Sequence, residues 1–216
     1  MKKSFKHVIL ALTILCSGGV VTSCDSDAIT PFVPVVVDII KSFFNTGQTY
    51  EFTGSATSQS FTSADNWETV AYLDASESNP KGIYEFASGV PVSITCNTDT
   101  TATLTLPTYS EREGGVTVTG FTLGNLNLSI STDSISKDQF NTLEISEANT
   151  TIDGKMTYDG VIYKAYTAQI EVAKATDSKL ELDISMYFQG PEDAEGVCSK
   201  GVRFKFTGTK QETSNQ

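Results

Sequence analysis

Residues 101–131 read TATLTLPTYSEREGGVTVTGFTLGNLNLSIS, and the order of apolar positions within them decides the fold class. Ala102, Leu104 and Leu106 alternate with Thr101, Thr103 and Thr105, the two-residue period of a strand with one buried face and one wet face. Pro107 stops that ladder. Beyond the charged loop 110–115, Val116 and Val118 resume on even positions, Phe121 and Leu123 fall on odd ones, and Leu126, Leu128 and Ile130 return to even. A period of two cannot change phase in a flat strand, so bulges or sharp bends are expected near Gly120 and Gly124, where a missing Cβ permits them. Strongly coiled sheets need such bends.

The same period runs outward in both directions. Upstream, Tyr50 and Phe52 alternate with Glu51 and Thr53, and short strands are expected at 70–73, 83–86 and 92–96 between Gly, Pro, Asn and Ser punctuation. Downstream, Asp153-Gly154 and Asp159-Gly160 are hairpin-type dipeptides on either side of 155–158. Three clear strands close the chain. Ile162, Tyr166, Ala168, Ile170 and Val172 fall on one face, Leu180, Leu182, Ile184, Met186 and Phe188 on the next, and Val202, Phe204 and Phe206 on the last. Lys179, Glu181, Asp183, Arg203 and Lys205 occupy the opposite faces. Eight to ten strands with short turns and no core helix predict an all-β fold, an antiparallel up-and-down β-barrel of about eight strands, with a β-sandwich as the alternative.

The N-terminal residues read as an address. Lys2, Lys3 and Lys6 precede the short apolar run 8–15, which is too short to span a bilayer. Small residues and the run Val21, Thr22, Ser23, Cys24 follow, resembling a bacterial lipobox, so 1–23 are expected to be a lipoprotein signal peptide and Cys24 the lipidated residue. Three acyl chains on Cys24 would anchor the chain without a transmembrane helix. Residues 24–47 form a tether, with Asp25, Ser26 and Asp27 at its start. Pro31 and Pro34 then introduce VVVDIIKSFF, in which Val35, Val36, Ile39, Ile40, Phe43 and Phe44 make one apolar stripe on a short N-terminal helix. The barrel is expected over 48–210 and a disordered tail over 211–216.

Composition excludes several partners. The 216 residues carry 15 Lys and Arg against 26 Asp and Glu. Loss of residues 1–23 removes three Lys and no acid, which leaves 12 basic residues against 26 acidic ones, a balance of −14. Nucleic acid and anionic lipid need a basic face, and none is seen.

The order of an early YEFTGSAT strand, TLTLPTYS, a Gly-Gly-Val-Thr-Val segment, KLELDISMYFQG and a closing VRFKFTGTK resembles the calycin-like β-barrel lipoproteins of Bacteroides-type bacteria, over about 48–210. The resemblance implies an eight-stranded, lipocalin-like barrel and an outer-membrane address, on the periplasmic face or the cell surface. It implies no activity, because none of these pieces is a catalytic signature.

Few residues of this chain offer catalytic or metal-binding chemistry. The only histidine is His7, inside the expected leader. Without it a Ser-His-Asp or Cys-His mechanism, a usual zinc site and imidazole-held haem are excluded, and no cofactor or metal is expected. The densest acidic group, Glu192, Asp193 and Glu195, reads as a solvated turn, too short and unpatterned for a calcium loop. The chain is therefore expected not to be an enzyme. Cys96 and Cys198 would form a structural disulfide in an oxidising envelope, with two buried free thiols as the alternative.

Two functions fit this reading. In the first, the barrel is solid and its loops, Ser55 to Asn66 and Ser76 to Lys81 among them, recognise a protein or glycan partner. In the second, a small apolar ligand occupies the barrel, with Tyr166, Met186, Phe188, Phe204 and Phe206 lining it. The volume and lining of the interior separate the two.

Overall fold

The structure is a computed structural model that describes residues 40–41, 43–63, 69–130, 142–147 and 149–211. The expected signal peptide, Cys24, most of the tether and helix, and the end of the tail lie outside the described residues. Among the described residues eleven strands are found: β1 (Thr49–Ser63), β2 (Thr69–Tyr72), β3 (Ile83–Cys96), β4 (Thr101–Thr105), β5 (Tyr109–Ser110), β6 (Thr117–Ile130), β7 (Leu143–Ser146), β8 (Thr151–Tyr158), β9 (Val161–Ala175), β10 (Lys179–Gln189) and β11 (Lys200–Lys210). Every pairing is antiparallel.

The hydrogen bonds close into a ring. Each of β1, β3, β4, β6, β8, β9, β10 and β11 pairs with the next in that order, and β11 returns to β1. Three short strands decorate this ring of eight: β2 on β1, β5 on β6, and β7 bridging β6 to β9. Closure leaves the main strands without a free edge. It also rules out the β-sandwich, in which two sheets would each keep two edges.

The twofold phase change in 116–130 is realised as two bulges. Thr119 pairs with Lys155 and Thr122 with Asp153, so Gly120 and Phe121 face the single residue Gly154. Ala102 pairs with Leu126 and Leu104 with Leu123, so Gly124 and Asn125 face Thr103. Gly120 and Asn125 both have positive φ, 61° and 57°, the conformation that lets a strand shift one residue without breaking its ladder. Val116, Val118, Phe121, Leu123, Leu126, Leu128 and Ile130 all end up buried.

Two other readings change. Asp153-Gly154 is no turn but lies inside β8, where the bare Gly154 lets the Phe121 backbone approach. A Cβ there would sit 2.8 Å from the Phe121 Cα. Asp159-Gly160 is the hairpin, joining Tyr158 to its partner Val161 with φ positive at both residues. In β9 the single inward face fails. Glu171 and Tyr166 have no partners across β10, where register shifts lie, so the buried side passes from Ala175 and Ala173 to Ile170 and Ala168, then to Ala165 and Tyr163. Ile162 and Tyr166 consequently face outward, both well exposed.

The registers define two ends. At the proximal end lie the starts of β1 and β10 and the ends of β3, β9 and β11. Residues 40–41 and 43–47 seal it. Ile40, Phe43 and Phe44 are buried, Phe44 stacks on Tyr50 with centroids 4.7 Å apart, and Lys210 Nζ lies 4.2 Å from the Tyr50 centroid. Of the expected helix, the Phe44 N–H to Ile40 carbonyl bond of 3.0 Å is described. The loops 73–82, 111–116, 159–160 and 190–199 gather at the distal end.

Candidate functional site

The barrel interior is filled. Met186, Phe188 and Phe204 are wholly buried and Phe206 nearly so. Phe188 packs on Phe121 with centroids 6.2 Å apart, and Phe204 on Tyr109 at 5.4 Å. Of the five expected wall residues Tyr166 is the exception, because as a bulge residue it points outside. Depressions of about 280, 200 and 380 Å³ open to solvent are not lined by Met186, Phe188 or Phe204, though Phe206 borders the first and Tyr166 the second. Side chains in a ring of eight strands reach across the axis, and aromatic ones complete the filling.

Polar chemistry collects instead where the filled core meets the distal rim. Residues 55–63 belong to β1 and not to a loop, since the ladder with β11 continues to Thr62. The even positions that bury Phe52 and Ala56 also bury Ser58 and Ser60. The loop after β5 dips inward over them and inserts Glu111, which is only 6% exposed. Ser58 Oγ donates to Glu111 Oε1 and Ser60 Oγ to Oε2, each at 2.6 Å. Beneath them the Tyr109 hydroxyl lies 3.2 Å from Ser58 Oγ, and its ring is held between Phe204 and Phe86.

A second acid completes the cluster. The Asp74 side chain is fully buried. Its Oδ1 accepts from Arg112 Nη2 at 2.8 Å and its Oδ2 from the Val116 N–H at 2.9 Å. The Tyr84 hydroxyl donates to the Asp74 carbonyl at 2.7 Å. Gly115 makes the approach feasible, because a Cβ there would collide with the Asp74 carboxylate. Burial pushes the Glu111 carboxyl up to about 7, against the lowering effect of the Ser58 and Ser60 bonds and with the help of Asp74. Burial likewise raises Tyr109, which stays a neutral phenol. No family model, curated protein or solved structure matches the chain.

The rim above this cluster is apolar in patches. Among the described residues the exposed large hydrophobic ones are Val70, Tyr72, Ile83, Val161, Ile162 and Tyr166, and the registers put all six toward the distal end. Val70 and Tyr72 sit on β2 against the end of β1, Ile83 opens β3, and Val161 and Ile162 follow the Asp159-Gly160 turn. The loop 190–199 stands beside them. Asp193 Oδ2 orders it by accepting from the Gly190 N–H at 2.6 Å and from Ser199 Oγ at 2.8 Å. Burial would raise this carboxyl, but those bonds outweigh it and hold Asp193 low. Glu192 and Glu195 are exposed, as a solvated turn requires.

Cys96 and Cys198 are free and both buried. The expected disulfide is absent because the closed ring separates them. Cys96 ends β3 at the proximal seal, bonded through its carbonyl to the Gly47 N–H, while Cys198 packs with Phe61 and Tyr187 near the distal rim. Burial pushes each thiol up to about 11, so neither is a thiolate at neutral pH. Among the described residues no group of three or more His, Cys, Asp or Glu side chains is placed to hold a metal ion.

Proposed function

We propose that this chain is an outer-membrane-anchored bacterial lipoprotein of the calycin-like barrel type, a non-enzymatic interaction module that recognises a protein or glycan partner with its distal rim. The observation that carries this reading is the distribution of apolar side chains: the interior is packed, and among the described residues the large apolar ones left in solvent lie toward one end. Exposed apolar residues gathered in this way mark recognition surfaces more than chance does. The polarity of the barrel suits a tether. Residue 40 enters at the proximal end, so an acyl anchor on Cys24 would leave the distal rim facing away from the bilayer.

A tethered module needs no cavity, and its specificity resides in loops held by a rigid scaffold. Ordered loops are what the Asp74, Glu111 and Asp193 bonds supply.

The test uses purified chain on a glycan array and against envelope proteins, with Ile162→Lys and Ile83→Lys at the rim and Lys41→Glu at the proximal end. Partner binding that falls at least about tenfold in the rim variants and is unchanged in the proximal one supports the reading. Stoichiometric apolar ligand in a native mass spectrum of the gently extracted chain would transfer the function to a carrier.

A further inference from the structure

We propose that Glu111 and Asp74 form a proton-operated latch: one proton held between two buried carboxyls closes the loops 73–82 and 111–116 onto the barrel, and its release to solvent frees them.

The balance of charge under the rim is uneven. Two carboxyl groups lie under the rim, and among the described residues the cation bound to them is Arg112 alone, paired with Asp74. The cation belongs to Asp74, whose Oδ1 accepts from Arg112 and whose Oδ2 accepts from the Val116 N–H. Glu111 has hydroxyls for neighbours, Ser58 and Ser60 of β1 and, through Ser58, Tyr109 of β5. From β3 Tyr84 reaches the Asp74 carbonyl, and from β8 Tyr158 feels the charges of Asp74 and Arg112. None of these brings a second positive charge. A second negative charge on Glu111 would therefore stand unneutralised beside Asp74, in surroundings where like charges repel far more strongly than in water.

The cluster fastens the two loops to each other, while β1 holds the margins of the first loop through the Leu73 N–H to Ser60 carbonyl bond of 3.0 Å and the Gln59 Nε2 to Lys81 carbonyl bond of 2.8 Å. Asp74 belongs to the first loop; Arg112 and Val116 belong to the second; Ser58 and Ser60 belong to β1, which is hydrogen-bonded on both sides and cannot yield. Repulsion between Glu111 and Asp74 acts between the two movable parts. The geometry thus converts loss of one proton into separation of the loops, and the upward displacement of Glu111 to about 7 puts that event near neutrality.

Hydrogen exchange on the full chain tests the latch, with rates corrected for the intrinsic pH dependence of exchange. Protection of 73–82 and 111–116 is expected to fall at least about tenfold between pH 5 and pH 8, while that of β10 stays constant. In Glu111→Gln the same loops are expected to change less than about twofold. The Glu111 carboxyl resonance, assigned by its loss in Glu111→Gln or its displacement in Ser58→Ala, should titrate well above the ordinary glutamate range. A Glu111 that titrates in that ordinary range, or loop protection that stays level through its titration, overturns the proposal. The wild-type measurements decide even if Glu111→Gln does not fold.

Discussion

At the scale of single residues, Glu111 makes the stability of the fold depend on pH in an unusual direction. Its native value of about 7 lies above the ordinary 4.5, so between those values the native state holds a proton that the unfolded chain has lost. The stabilisation is complete below about 4.5, declines as pH rises, and is gone above about 7. The full swing is roughly 3 kcal/mol, taking 1.36 kcal/mol per pKa unit. Denaturant unfolding is expected to show that loss from pH 5 to pH 8, and Glu111→Gln is expected to flatten the profile. Asp183 works at the other end: the Arg203 bonds, with Lys205, hold it low, so its contribution is lost only as pH falls through the acidic range. The thiols give a second residue-scale prediction. Cys96 and Cys198 should resist an aromatic disulfide reagent in the native chain and both react once it is unfolded without reductant. None of this cluster was legible as a site. The run SEREGG reads as a solvated loop, and Ser58 and Ser60 read as loop polarity. The available signal was parity, since both serines continue the even phase of Tyr50 and Phe52, and small hydroxyls on a strand's buried face call for a buried partner.

At the scale of elements, β6 and β9 show when a strand's shape can be read and when it cannot. Both carry two register shifts. In β6 the shifts fall at Gly120 and at Gly124-Asn125, and the large apolar residues between them are unambiguous, so the phase changes are visible in the sequence. In β9 the unpartnered residues are Tyr166 and Glu171, neither of which announces a bulge. The small side chains Ala165, Ala168, Ala173 and Ala175 give little phase information on either side. An aromatic at Tyr166 therefore reads as a wall residue although the bulge turns it outward. Gly154 offers the test of this account. Its φ of 140° and its 2.8 Å clearance from the Phe121 Cα are separate obstacles to a side chain. Gly154→Ala should cost about 2–4 kcal/mol in denaturant unfolding, combining backbone strain with overpacking. Gly160→Ala meets open space and only a positive φ, and should cost about 1 kcal/mol. Equal costs would mean that the Phe121 contact is unimportant and that β8 can retreat.

At the scale of the whole molecule, ring closure ties stability and function to the same interior. Eight strands enclose room for side chains or for one small ligand, but not both, and the sequence alone left that choice open because large inward aromatics line cups and fill cores alike. The outcome depends on reach across the axis, which becomes visible only with the ring closed: Phe188 of β10 meets Phe121 of β6, and Phe204 of β11 meets Tyr109 of β5. Phe188→Ala turns this into an experiment. Removing a fully buried phenylalanine should cost about 3–5 kcal/mol, the spread reflecting how far Phe121 and its neighbours relax. If the ring resists collapse, the variant keeps an apolar void, and a small aromatic such as benzene should bind there and recover part of the lost thermal stability. The parent chain should show no shift with the same probe, because the Phe188 ring already fills that space against Phe121. A shift in the parent equal to that in Phe188→Ala would mean that the aromatic interior opens spontaneously, and the rim would then have to share recognition with a ligand inside the barrel.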